Sequence, residues 1–159
     1  MDTLLTILGW MMAFSSALMA GVYSAFSSFI MRAFATLEPA AGIAAMNAIN
    51  DTIVKTSFLP LFFGSTMVAA FLAGVGLWDW GAPGSAVAVI TGTTYVIGMF
   101  VVTAFANVPL NNQLARVVDG DAGARQIWSH YLSRWTHWNT LRTVASLATL
   151  AGSILLLQY

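Results

Sequence analysis

"TYVIGMFVVTAFANVPLNNQLAR", residues 94–116, changes from a continuous apolar run to a segment that carries three asparagines and a proline. The apolar first half has the composition of a helix that faces lipid. In the second half Asn107 and Asn111 share one helical face, and Asn112 points elsewhere. Pro109 removes a backbone N–H, so we expect the helix to be loosened there. The stretch predicts a membrane helix with amide side chains at one end.

The composition of the whole chain supports a membrane protein. Its 159 residues are 58% hydrophobic and 8% charged, whereas soluble domains carry about 25% charged residues. We predict one integral membrane domain over residues 1–159. The net charge of zero gives no support for nucleic-acid binding. The chain contains no cysteine, which excludes disulfides and thiolate metal sites.

Apolar runs predict an all-α fold with four membrane helices. Each run is long enough to cross a hydrocarbon layer of about 30 Å at about 1.5 Å per residue. The N-terminal run lacks a positively charged start and is too long for a signal peptide, so we predict a retained helix. The predicted spans are residues 3–31, 57–78, 86–106 and 136–157, with a tight turn, "DWGAPGS", between the second and third.

The basic residues predict the orientation. Arginine and lysine occur in the first and third connections and are absent from the second connection and both ends. The positive-inside rule places those two connections in the cytoplasm and both termini outside the cytoplasmic (inner) membrane. Each connection also has the pattern of an amphipathic helix, at residues 40–55 and 122–135. We therefore predict a multi-pass four-helix bundle with cytoplasmic helical extensions and two amphipathic connecting helices.

An aromatic stripe leads into the fourth predicted span. Its members are spaced 3, 4, 3 and 4 residues apart: Trp128, Tyr131, Trp135, Trp138 and Arg142. An arginine at the bilayer centre costs roughly 2.5–3.5 kcal/mol on insertion scales, which favours a position facing the bundle. A guanidinium group also stacks on aromatic faces. An interfacial arginine that extends to the lipid headgroups is the alternative interpretation.

Polar residues from separate segments converge at one depth. Counted at 1.5 Å per residue from the outer ends, Tyr23 lies ~30 Å deep, Asn107 ~31 Å and Arg142 ~24 Å. Asn50 lies just before the second span, and Asn139 lies beside the aromatic stripe. The convergence predicts a polar site near the cytoplasmic boundary. Asparagines that merely mark a helix leaving the membrane are the alternative.

His130 and His137 lie on the face of the fourth helix opposite the stripe. Seven residues separate them, or ~10 Å by helical rise, which is too far for both to bind one ion unaided. No carboxylate accompanies them in the pattern of a zinc or di-iron site. We predict no metal site, and His137 is the one of the two more suited to reach the polar cluster.

Three short motifs resemble the anthrone oxygenase-like (DUF1772) family of small four-helix membrane proteins. The motifs are "MNAIN" at residues 46–50, "NVPLNNQL" at 107–114 and "WTHWNTLRT" at 135–143, and the resemblance covers nearly the whole chain. The named fungal members of that family oxidise an anthrone to an anthraquinone with molecular oxygen, without metal or flavin. The resemblance implies a site made of Asn50, Asn107, Asn111, Trp135, Trp138, Asn139 and Arg142.

Two functions remain open from the sequence. The first is a cofactor-independent, oxygenase-like enzyme that takes a hydrophobic anthrone- or quinone-like substrate from the bilayer. Its enolate oxygen would be held by amides and Arg142, and the base would be His137, His130 or Tyr23. Catalytic candidates are Asn107, Asn111, Asn139, Arg142 and His137, and substrate-binding candidates are Tyr23, Asn50, Trp135 and Trp138. The second is a non-catalytic membrane module that binds a lipid, a quinone or a partner protein.

Small residues on the first helix predict close helix contacts. Ala13, Ala17, Ala20 and Ser24 recur at helical spacing, and such faces allow membrane helices to approach each other closely. The contacts they make would lie within the chain or between copies of it, so a homo-oligomer is a second expectation.

Overall fold

The computed structural model describes residues 2–118 and 122–159, and every regular element in these ranges is helical. The all-α fold class predicted from the sequence is confirmed. We number five continuous helices along the described chain: α1 (residues 2–35), α2 (Pro39–Ile53), α3 (Phe58–Trp78), α4 (Ser85–Leu114) and α5 (Ala124–Leu156).

Three of these helices are long and apolar enough to cross a membrane: Thr3–Ala35, Phe58–Trp78 and Ser85–Leu114. The fifth helix is not among them, because its first half is rich in polar and charged residues and Arg142 lies near its middle. Nevertheless α5 packs along α1 and also contacts α4. The fourth membrane span, at residues 136–157, therefore remains a prediction.

The second amphipathic connecting helix is not a separate element. Residues 122–135 were predicted to precede the fourth span, but α5 is one helix of 33 residues. Its sequence contains no proline, and its first glycine is Gly152 near the far end, so nothing in it interrupts the hydrogen-bond ladder. At about 1.5 Å per residue it is ~50 Å long, longer than a bilayer is thick. The aromatic stripe and Arg142 therefore lie on one continuous helix.

Glycines bring α3 and α4 close together near their connecting turn. A Cβ atom on Gly92 would lie 2.3 Å from the Ala69 carbonyl oxygen, and one on Gly76 would lie 2.6 Å from the Ser85 carbonyl oxygen. Only glycine permits such an approach. The turn itself uses Gly84 with a positive φ of 80°, a conformation that side chains disfavour. The two helices are thus fixed as antiparallel neighbours at this end.

π-Helical turns interrupt both α1 and α4. In α1 the π-helical segment is Phe26–Ile30, and in α4 there are two, Val96–Val101 and Thr103–Asn107. Pro109 follows the last of them and lies in the first turn of the final α-helical segment. Because proline donates no N–H, the helix before it lacks a normal ladder bond. The loosening expected at Pro109 takes the form of π-helix rather than a break.

The short helix α2 lies across the end of the long helices. It packs against α5 and the last turns of α4. Gly42 in α2 lies against the Trp128 indole, where an added Cβ would approach a ring carbon to 2.5 Å. Met46 of the same helix is buried in a cluster with Trp128 and Tyr131. α2 therefore covers the end of the bundle at which the polar residues meet.

Candidate functional site

A cavity of about 430 Å³ lies between α1, α3, α4 and α5, with α2 over its end. Its volume is in the range of small-molecule sites, about 300–1,000 Å³. One part is apolar and aromatic, and the other contains the polar residues. The lining residues are Val22, Tyr23, Phe26, Met46, Ile49, Asn50, Ile53, Val54, Phe58, Leu59, Phe62, Phe63, Phe100, Thr103, Ala104, Asn107, Val108, Asn111, Trp135 and Arg142.

Arg142 is the centre of the polar part. Its side chain is 5% exposed, and its guanidinium carbon lies 4.3 Å from the Tyr23 ring centroid and 5.3 Å from that of Trp135. Nη1 donates to the Thr103 hydroxyl at 3.2 Å, and Nη2 donates to Oδ1 of Asn139 at 2.8 Å. Stacking on two electron-rich rings stabilises a cation that is removed from water. The guanidinium is therefore fixed in place at the cavity wall.

Asn139 lies behind Arg142 and connects it to α1. Its Nδ2 donates to the Tyr23 carbonyl oxygen and to the Ser27 hydroxyl, both at 2.7 Å, while its Oδ1 accepts from Arg142. The Tyr23 carbonyl lies just before the π-helical turn of α1, where the altered ladder leaves carbonyls able to accept additional bonds. Asn139 does not line the cavity. It is a positioning residue for Arg142.

The two asparagines of α4 that share a face both reach the aromatic stripe of α5. Asn107 is 1% exposed and donates from Nδ2 to the Trp135 carbonyl oxygen at 3.3 Å. Asn111 accepts through Oδ1 from the Tyr131 hydroxyl at 2.8 Å. Burial raises the pKa of Tyr131, so the phenol stays protonated and donates. These bonds hold α4 against α5 beside the cavity.

The stripe itself is a stack of rings. The centroids of Trp128 and Tyr131 are 5.8 Å apart at an interplanar angle of 13°, and those of Tyr131 and Trp135 are 6.0 Å apart at 24°. Phe26 of α1 packs on Trp135 at 5.5 Å. Such contacts add to the burial of the rings. The stack presents Trp135 at the cavity as a rigid flat surface.

Several buried polar atoms of the lining residues have no hydrogen-bond partner in the part of the chain that the structure describes. They are the Tyr23 hydroxyl, Arg142 Nε, Trp135 Nε1, Asn50 Nδ2 and Asn107 Oδ1. Buried polar groups are paired in most proteins, and an unpaired one costs about 1–3 kcal/mol. Four of these five atoms can donate a hydrogen bond, whereas Asn107 Oδ1 only accepts. The cavity is therefore suited to a ligand that brings acceptor oxygens.

Phenylalanines form the apolar part of the cavity. Phe62 stacks near Phe58 at 6.3 Å and near Phe100 at 6.1 Å, and Tyr23 meets Phe58 edge-on at 6.3 Å. None of these phenylalanines was predicted for the site. Two of them belong to the run "FLPLFF" at the start of α3. Composition alone does not show whether phenylalanines in such a run face the lipid or the interior. They give this part of the cavity an aromatic, apolar wall.

The lining residues at the outer surface of the bundle are all apolar. Val22, Val54, Phe63 and Val108 are 37–50% exposed although they border the cavity. Three of these positions belong to helices that are long and apolar enough to cross a membrane. A hydrophobic molecule would thus meet only apolar side chains between the lipid and the interior.

Six of the nine residues predicted for the site line this cavity: Tyr23, Asn50, Asn107, Asn111, Trp135 and Arg142. Asn139 lies behind them, as described. Trp138 and His137 lie elsewhere: Trp138 is half-buried beneath Arg134, whose guanidinium carbon is 6.0 Å from its ring centroid, and His137 is exposed. The structure therefore does not bring these two residues to the cavity. His130 is also exposed.

The helices and the cavity describe a small, all-α, membrane-compatible protein with an internal cavity lined by aromatic and polar side chains. The sequence model of the anthrone oxygenase family matches residues 52–152, more than half of the chain. The chain belongs to this family, as its motifs predicted. Comparison with curated proteins and with solved structures gave no match. The matched range includes α3, α4 and most of α5, and therefore Asn107, Asn111 and Arg142.

Proposed function

We propose that the protein is a membrane-embedded, cofactor-independent oxygenase that acts on a flat, hydrophobic aromatic ketone of the anthrone type. The observation that carries the proposal is the cavity, in which flat rings surround a buried cation and unpaired donors. Membership of the anthrone oxygenase family supports the same reaction class. The phenylalanines and Trp135 would sandwich the rings of the substrate.

The proposed reaction replaces a CH₂ group of the substrate with a carbonyl group. Loss of one proton gives an enolate, whose oxygen would accept hydrogen bonds from Arg142 Nε and the Tyr23 hydroxyl. The electron-rich carbon then transfers electrons to O₂ and bonds to it, and a proton completes a hydroperoxide. The hydroperoxide loses water and leaves the ketone, so one substrate and one O₂ give one quinone and one water.

Tyr23 is the remaining candidate for the proton transfer. Of the three bases considered from the sequence, His130 and His137 are exposed on α5, outside the cavity. Tyr23 lines the cavity with its hydroxyl unpaired and its ring against Arg142. In the proposed step its phenolate form would take the proton that the substrate carbon loses.

In this proposal the substrate reaches the site from the bilayer. The exposed part of the lining consists of valines and Phe63, which a lipophilic molecule can pass without leaving an apolar environment. We place the protein in the cytoplasmic membrane with the polar end of the bundle on the cytoplasmic side and both termini outside. The distribution of arginine and lysine supports this orientation.

Oxygen consumption by the purified protein with anthrone tests the proposal. Arg142→Gln should reduce the rate by about 100-fold, the usual effect of removing one donor to a developing oxyanion. Arg134→Gln is the matched control: Arg134 lies two turns earlier on α5, is exposed and does not border the cavity. Its rate should equal that of the wild type.

Wild-type activity in a folded Arg142→Gln variant would reject the role of Arg142. Absence of oxygen consumption in the wild-type protein, together with tight binding of the product anthraquinone, would reject the enzyme. It would instead support the alternative of a module that binds a quinone without changing it.

A further inference from the structure

Arg142 carries a positive charge that the cavity does not balance. No aspartate or glutamate is among the lining residues, and the acceptors of its hydrogen bonds are the neutral Thr103 and Asn139. An arginine stays charged in proteins. A charge taken out of water costs several kcal/mol unless a counter-charge or full hydrogen bonding offsets it. The neutral partners and the two aromatic rings offset only part of this cost, since Nε still lacks a partner.

Further unpaired donors belong to the residues around this charge. The Tyr23 ring lies 4.3 Å from the guanidinium carbon and the Trp135 ring 5.3 Å, and the Tyr23 hydroxyl and Trp135 Nε1 are both unpaired. A neutral ketone oxygen would satisfy some of these donors, but it would leave the charge unbalanced. An anionic oxygen would satisfy both requirements, because hydrogen bonds to a charged acceptor are roughly twice as strong.

We propose that the cavity is an anion site, which binds flat phenols and enols in their ionised form and discriminates against their neutral form. Binding breaks the O–H bond of the ligand, leaves the electron pair on its oxygen and releases one proton to water. The site would thus select, among apolar aromatic molecules, those with an acidic hydroxyl group. The choice of ligand shape rests on the proposed function, whereas the charge preference does not require any turnover.

The direction in which the pKa of the ligand shifts on binding distinguishes this site from an ordinary apolar pocket. Transfer of a phenol from water to an apolar environment disfavours its charged form, so ionisation then requires a higher pH. A fixed cation within hydrogen-bond distance acts in the opposite direction. If the cation dominates, the ligand ionises at a lower pH in the cavity than in water.

The test uses 7-hydroxycoumarin, a flat phenol whose ionised form has its own absorption band. It is titrated with pH in water, in protein-free detergent micelles and with saturating protein in the same detergent. We expect half-ionisation of the bound dye at least one pH unit below its value in water, a tenfold change in the ionisation equilibrium. 7-Methoxycoumarin, which cannot ionise, should bind at least ten times more weakly at neutral pH.

Two variants locate the effect. Arg142→Gln should abolish the shift, and the exposed control Arg134→Gln should retain it. If Arg142→Gln fails to fold, the affinities of the wild-type protein for the two coumarins still test whether the cavity prefers an anion. A bound dye that ionises at or above its pH in water, or equal affinity for both coumarins, overturns the proposal. If the bound dye ionises at a lower pH than in water but the protein consumes no oxygen with anthrone, the anion site stands and the oxygenase is rejected. If the protein consumes oxygen but the dye shows no such shift, the oxygenase stands and the anion site is rejected.

Discussion

Tyr23 is buried, yet its hydroxyl has no hydrogen-bond partner among the described residues. A polar group in this position costs stability, about 1–3 kcal/mol for a buried hydroxyl. The ring has a clear structural role, because it stacks on Arg142 and meets Phe58. The hydroxyl has none that the structure shows. In the proposed function, a ligand oxygen supplies the partner that this hydroxyl lacks.

Tyr23→Phe separates the two roles. The variant keeps the ring and removes the unpaired hydroxyl, so its thermal unfolding midpoint should equal or exceed that of the wild type. Oxygen consumption with anthrone should fall by at least tenfold. Tyr95→Phe is the control, since the Tyr95 hydroxyl is buried and hydrogen-bonded to Ser65 at 2.7 Å. That change should cost about 1 kcal/mol and leave the rate unchanged. Marked destabilisation of Tyr23→Phe would show that the hydroxyl supports the fold.

Periodicity could identify most residues of the site but not choose between neighbours. Helical positions advance by about 100° per residue. Measured from Trp135, Trp138 lies about 60° to one side, Asn139 about 40° to the other, and Arg142 within about 20°. Both Trp138 and Asn139 were therefore candidates for the inward face. The structure buries Asn139 because its amide finds the Tyr23 carbonyl and Ser27, contacts between distant segments that no spacing rule contains.

The close packing of α3 on α4 depends on glycine at a few positions. Gly92→Ala would place a methyl group 2.3 Å from the Ala69 carbonyl oxygen and 2.8 Å from the Ala73 nitrogen, both backbone atoms that cannot turn away. We expect a loss of about 1–3 kcal/mol in the free energy of unfolding, the usual cost of overpacking. Unfolding in detergent, followed by circular dichroism, measures it.

Gly74→Ala on the neighbouring helix is the matched control. A Cβ at Gly74 would meet nothing within 4 Å, so this change should be neutral or stabilise α3 by up to about 1 kcal/mol. Equal effects of the two substitutions would mean that the helices separate easily and that the glycine contact is unimportant.

The sequence could predict where the helices lie, but it could not predict where one helix ends and the next begins. Apolar runs located α1, α3 and α4, and the amphipathic pattern located α2. The change from the amphipathic pattern of residues 122–135 to the apolar run of residues 136–157 also predicted two separate elements, with a junction between them. The structure has none, because a change in surroundings from water to lipid does not require a change in backbone. The end of a helix is marked by a proline, a glycine or backbone groups that lack their hydrogen bonds.

The distribution of arginine and lysine between the connections predicts how the whole molecule lies in the membrane. The chain contains no cysteine, so single cysteines can report sidedness without a further background change. Arg116→Cys and Gln158→Cys are suitable because Arg116 is exposed after α4 and Gln158 is exposed after α5. In intact cells an impermeant maleimide should label position 158 and label position 116 only after lysis. The reverse pattern would invert the proposed orientation.

The π-helical turns determine how α4 responds to the loss of a single codon. A π-helical turn holds one residue more than an α-helical turn, so each corresponds to the insertion of a single codon into a regular helix. Deleting one codon within residues 96–101 should convert that segment to α-helix and leave the π-helical segment Thr103–Asn107, and the chain should still fold. Everything beyond it in α4 would rotate by about 100°, carrying Asn107 and Asn111 away from the cavity. Relatives whose alignment shows a one-residue gap there should therefore have kept the helices and lost this arrangement of asparagines beside the cavity.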